Sequence, residues 1–133
     1  MNHKNYMGLV FPSYAGNEAF ARTAVSSFIS QLDPALEEMG DIRTAVSEAV
    51  SNCIIHAYPN EVGVITLCCR ILKNNVISIM IKDRGVGIQS TPEEHSGMGF
   101  TKINRSMNSV KVVSSPDKGT TVHMKSKIDK TQG

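Results

Sequence analysis

Ile77, Ile79 and Ile81 alternate with Ser78, Met80 and Lys82, and the alternation ends on Asp83. A period of two puts the isoleucines on one face of a strand and their neighbours on the other. Such a strand belongs to a sheet with one covered face and one open face. Asp83 shares the isoleucines' parity, so the strand delivers a carboxylate to the covered side. A carboxylate there needs hydrogen-bond donors.

The covering layer must come from helices. Phe20, Ala21, Ala24, Val25, Phe28, Ile29 and Leu32 recur at helical spacing, with Arg22, Ser26, Ser27 and Ser30 opposite. Asn17 is the expected N-cap. Asp33-Pro34 restarts the chain, Asp as cap and Pro at the first helical position. A longer helix is predicted from about Asp41 to Ala57, striped by Ile42, Val46, Ala49, Val50, Cys53 and Ile54 and ended by Tyr58-Pro59-Asn60. Further strands are expected at Tyr6–Phe11, Val64–Leu72, Val110–Ser114 and Thr120–Lys125. Lys73-Asn74-Asn75 reads as a hairpin turn, because Asn tolerates positive φ. A short helix is expected at Phe100–Met107. The order β-α-α-β-β-loop-α-β-β predicts one α+β domain over 1–133. It is a two-layer sandwich, a mixed, mostly antiparallel sheet with helices on one face.

Composition narrows the function. The chain has 133 residues, with 14 Lys+Arg against 12 Asp+Glu and a net charge of +2. That balance gives no support to nucleic-acid binding. No apolar run is long enough to span a membrane, and the first residues lack the apolar core of a signal peptide. Cys53, Cys68 and Cys69 are odd in number and form no C-x-x-C, which fits a reducing, cytoplasmic setting with the thiols as small core fillers. His3, His56, His95 and His123 show no zinc-ligand spacing.

Four short pieces carry chemistry. Glu48 and Asn52 are four apart, so both project from one helix face, a base beside a metal-ligating oxygen. Asp83-Arg84-Gly85-Val86-Gly87 follows a strand, and its glycines let backbone run close to a flat ring. Ser96-Gly97-Met98-Gly99 precedes a helix and offers free N–H groups to a phosphate. Gly119-Thr120-Thr121 enters a strand. Each alone has a plainer explanation: an amphipathic helix edge, a polar turn, a hinge, turn chemistry. The third glycine of a dinucleotide fingerprint is missing.

In this order the four pieces resemble the Bergerat-type ATPase fold shared by gyrase, histidine kinases and a group of protein serine kinases. Asn17-Glu18-Ala19-Phe20-Ala21-Arg22, Val46-Ser47-Glu48-Ala49-Val50-Ser51-Asn52 and Ser96-Gly97-Met98-Gly99-Phe100-Thr101 are similar to the anti-sigma serine kinases of endospore-forming bacteria. The resemblance implies Glu48 as general base for a substrate serine and Asn52 as the Mg²⁺ ligand. It implies Asp83 as reader of the adenine amino group, with Gly85 and Gly87 lining the base. Gly97, Met98 and Gly99 would seat the phosphates of ATP or ADP. Thr121 would support the adenine pocket, and Arg22 would contact a partner protein, although a Glu18–Arg22 helix pair explains it too. The implied partners are a sporulation sigma factor, held inactive by a homodimer, and an anti-anti-sigma protein that receives phosphate on a serine.

Two departures stand against full activity. The segment from Ile88 to Ser96, where the family has its ATP lid, is short, and such loops are functional. His95 stands where the family carries an arginine that reaches the γ-phosphate, and a neutral imidazole does not replace a guanidinium fork. The alternative reading is therefore an anti-sigma binding module with weak or absent phosphoryl transfer.

Overall fold

The structure, a computed structural model, describes residues 5–85, 107–115 and 118–129. Strand β1 (Tyr6–Pro12) leads into helices α1 (Asn17–Ile29) and α2 (Leu36–Asn52). Strands β2 (Val64–Leu72), β3 (Val76–Asp83), β4 (Ser109–Ser115) and β5 (Gly119–Lys127) follow. The sheet order is β1-β2-β3-β5-β4. Every pairing among the described residues is antiparallel.

The alternation in β3 has the expected effect. Ile77, Ile79 and Ile81 are fully buried, and Asp83 keeps only 4% exposure. Ile65, Leu67 and Cys69 of β2 and Val122 and Met124 of β5 join them on the covered face. Against that face pack Ala21, Val25 and Ile29 of α1 and Ile42, Val46, Ala49 and Val50 of α2. The α+β two-layer sandwich, helices on one face, is the observed architecture. Burial of this continuous apolar layer is the main force holding the helices to the sheet.

The helix starts differ from the sequence expectation. α1 is preceded by Gly16 with no side-chain cap. Asn17 instead donates from Nδ2 to the Pro12 carbonyl at 2.9 Å, tying the helix to the end of β1. Asp33 caps no helix. It adopts a left-handed φ of 53° and closes a short 3-10 turn at Ser30–Leu32. α2 begins at Leu36, five residues before the expected Asp41. Its first turn, Leu36-Glu37-Glu38-Met39, leaves Leu36 exposed at 93% and sets two glutamates between the apolar residues, so the buried stripe is not legible there. Glu38 supplies the cap, its Oε1 accepting the Ala35 N–H at 2.8 Å.

The far end of α2 also differs. The regular helix stops at Asn52, and Cys53–Ala57 winds into a π-helical turn. The β2–β3 hairpin matches its reading: Asn74 and Asn75 take φ of 62° and 59°. The expected helix at Phe100–Met107 lies outside the described residues, apart from buried Met107.

Candidate functional site

The site is built where α2 meets the end of β3. Glu48 and Asn52 lie on successive turns of α2, and both are half-buried. Cys53 follows directly and turns inward to the core, with 4% exposure. The π turn begins at this point. One extra residue per turn re-aims side chains, which is why such turns recur at functional sites.

Asp83 sits opposite, held by three donors. Its Oδ1 accepts the Gly85 N–H at 3.0 Å and the Thr120 N–H at 3.2 Å. Its Oδ2 accepts the Cys53 thiol at 3.5 Å. These are the partners that a buried carboxylate needs. Burial, then the Asp83 charge and the hydrogen bond to it, push the Cys53 thiol up from its ordinary range, so Cys53 stays a protonated donor.

Backbone packing completes the frame. Tyr58 accepts the Arg84 N–H at 2.7 Å on its hydroxyl and donates to the Val64 carbonyl at 2.8 Å. A side chain at Gly85 would run into the Ala57 carbonyl. Gly119 takes φ of +89°, and a Cβ there would strike the Asp83 carbonyl. Two glycines thus let the π turn, the end of β3 and the start of β5 converge around one carboxylate.

A groove of about 460 Å³ opens between α1 and α2, reaching along α2 as far as Glu48. Arg22, Gly40, Arg43, Thr44, Ser47 and Glu48 line it. Arg22 Nε lies 3.6 Å from Glu18 Oε2, the i,i+4 pair that sequence spacing allowed. Arg43 donates to Ser26 Oγ at 3.1 Å, and Ser26 Oγ donates to the Arg22 carbonyl at 2.8 Å. The two guanidinium-bearing residues are therefore tied to one serine of α1.

The described residues fit a nucleotide and a magnesium ion. Asn52 Nδ2 is buried without a hydrogen-bond partner. That nitrogen is committed to nothing, and the amide's oxygen and nitrogen are interchangeable by a flip. Among the described residues no group of three His, Cys, Asp or Glu could hold a metal alone. A single amide oxygen suits Mg²⁺, which typically takes one or two protein oxygens and completes its shell with phosphates and water.

Of the residues named from sequence, the structure brings Asp83 and Gly85 together, and it places Glu48 and Asn52 on one face of α2 leading to them. Gly87, Gly97, Met98, Gly99 and His95 lie outside the described residues. Thr121 is not beside Asp83. It pairs with Lys82 and shares its parity, on the open face of the sheet. The neighbour of Asp83 is Thr120, buried, whose hydroxyl lies 2.8 Å from Ser114 Oγ. Parity from Val122 and Met124 held the signal: Thr120 shares their side, and Thr121 does not. Cys53, expected only as core filler, is also a donor to Asp83. Its position next to Asn52 was the available clue.

The fold is that of an ATPase domain of the histidine kinase type. The histidine kinase-like ATPase domain family matches residues 11–126. An anti-sigma F factor of Oceanobacillus iheyensis is 48% identical over 141 positions, covering 97% of each chain. Another, from Caldanaerobacter subterraneus subsp. tengcongensis, is 48% identical over 93% of this chain and 94% of its own. The chain belongs to the histidine kinase-like ATPase family, among the anti-sigma F factors. A crystal structure of RsbU and RsbW domains from Mycobacterium tuberculosis shares the fold, with a TM-score of 0.74 at 15% identity over 93% of this chain and 32% of that one. The histidine kinase domain of an Erythrobacter litoralis blue-light activated kinase does so at 0.63 and 19%, over 84% of this chain and 60% of that one.

Proposed function

We propose that this chain binds ATP and ADP with Mg²⁺, holds a sporulation sigma factor inactive, and phosphorylates a serine on an anti-anti-sigma protein. The observation that carries the proposal is the buried Nδ2 of Asn52, which has no hydrogen-bond partner, one helical turn beyond Glu48 and adjacent in sequence to the thiol that meets Asp83. When bound, the nucleotide supplies the phosphoryl group and Mg²⁺ offsets its charge.

The chain's own residues take distinct parts. Asp83 accepts the adenine amino hydrogen on Oδ2, since Oδ1 already serves two backbone donors. Gly85 keeps the pocket wall thin, and Thr120 takes the supporting place expected of Thr121. Asn52 offers its amide oxygen to the ion. Glu48 lines the groove beside α1, so a serine hydroxyl entering there meets a carboxylate able to take its proton. Arg22 and Arg43 on the same groove favour an acidic protein segment as the visitor. Gly87, Gly97, Met98 and Gly99 keep their assigned roles at the base and phosphates as part of the proposal.

Glu48→Gln tests the base. Phosphate transfer to the anti-anti-sigma protein is expected to fall by about 10²-fold or more, with nucleotide affinity nearly unchanged. Equal transfer by variant and wild type would remove Glu48 from the chemistry.

A second reading rests on the lid. The match to the Oceanobacillus relative runs over 141 positions, more than this chain's 133 residues, so the relative carries residues that this chain lacks. With His95 in place of an arginine, we infer that binding persists while transfer is weakened. Transfer at about 1–100 per second, the usual kinase range, would contradict that. No described helix is long and apolar enough to cross a membrane. With three unpaired thiols, this supports work in the cytoplasm.

A further inference from the structure

The carboxylate of Asp83 has more than one donor on the protein, and they are not alike. The two on Oδ1 are backbone N–H groups, brought within reach by the close approaches at Gly85 and Gly119. The one on Oδ2 is the side chain of Cys53, reaching across from the first residue of the π turn. Oδ2 is also the oxygen left to meet a ligand. The thiol therefore occupies one acceptor direction of the atom that would read the base, and fixes which direction stays open.

We propose that Cys53 is a positioning residue for purine selection: its thiol turns Oδ2 of Asp83 so that a single acceptor site faces the pocket, suited to a 6-amino purine and not to a 6-oxo purine. This rests on the reading of Asp83 as the adenine contact. The buried thiol is poorly suited to any other task. It has 4% exposure, so reagents and metals do not reach it, and its hydrogen-bond partner is Asp83 Oδ2 at 3.5 Å. Without it, Oδ2 gains a second open lone pair, and the carboxylate loses a constraint on its rotation. A loosened acceptor lowers affinity for the ligand that donates to it and leaves a ligand that does not donate unaffected.

The experiment is calorimetric titration of ADP and inosine diphosphate into wild type, Cys53→Ala, Cys53→Ser and Asp83→Asn. Cys53→Ala is expected to bind ADP about fivefold more weakly and inosine diphosphate as wild type does, so the preference shrinks. Cys53→Ser, which restores a donor, recovers most of it. Asp83→Asn abolishes the preference. If ADP and inosine diphosphate weaken equally in Cys53→Ala, the cysteine is only structural and the proposal fails. An unchanged preference in both cysteine variants overturns it as well. A wild type without preference for ADP, or an Asp83→Asn variant that keeps it, overturns the adenine reading of Asp83 itself.

Discussion

Cys69 shows what full burial does to a titrating group. It lies in β2 with no exposure, and burial followed by the neighbouring Cys68 pushes its thiol from 9.0 up to about 12. The folded chain keeps that proton while the unfolded chain releases it above about pH 9. The stability this provides is complete below pH 9 and is lost as pH rises toward 12. The loss amounts to about 1.4 kcal/mol per pH unit in that window. The urea midpoint is expected to drop between pH 8 and pH 10, and less steeply in Cys69→Ala. Parallel curves for the two proteins would refute this. Cys53 is also buried but faces a carboxylate, and this difference of neighbour separates a filler from the proposed positioning group. Sequence could not draw the line, because both cysteines sit at apolar positions of their periodic patterns. Asp83 was legible, since parity alone sends it inward, where only a partnered carboxylate survives.

At the level of elements, the legible parts are those whose burial is periodic. β2, β3 and the stripe of α2 were all readable from alternation or helical spacing. The first turn of α2 was not, because two glutamates and an exposed Leu36 interrupt the apolar period there, and the Glu38 cap helps to hold the turn. The π turn was not, because Cys53 and Ala57 are apolar at spacings that also fit a regular helix. Gly119 was read as turn chemistry, and it is that, with φ of +89°, but it also brings β5 against the backbone of Asp83. Gly119→Ala meets both constraints at once. It should cost about 1–3 kcal/mol in urea unfolding and weaken ADP binding, as the Thr120 N–H moves off Oδ1. A variant as stable as wild type, with unchanged ADP affinity, would show that this approach is not needed.

For the whole molecule, the covered face of the sheet is consumed by α1 and α2, while the open face carries Tyr6, Val10 and Val64 at 68%, 71% and 51% exposure. The homodimer expected from the family resemblance has this face available, and we propose that it forms there. Val10→Glu is then expected to shift the mass measured by light scattering toward the monomer, and a variant of unchanged mass would place the contact elsewhere. We propose the end of the sandwich where α2 and β3 finish as the place for nucleotide and protein substrate. The central claim is that this end is a magnesium-nucleotide pocket organised by Asn52 and Asp83. Its most direct test is titration of ATP, with and without Mg²⁺, into wild type and Asn52→Ala. Wild type should bind more tightly with Mg²⁺. Asn52→Ala should lose about tenfold or more of the Mg²⁺-dependent affinity while metal-free binding changes little. ATP binding that ignores Mg²⁺ and Asn52 alike, or no ATP binding by wild type, would contradict the account.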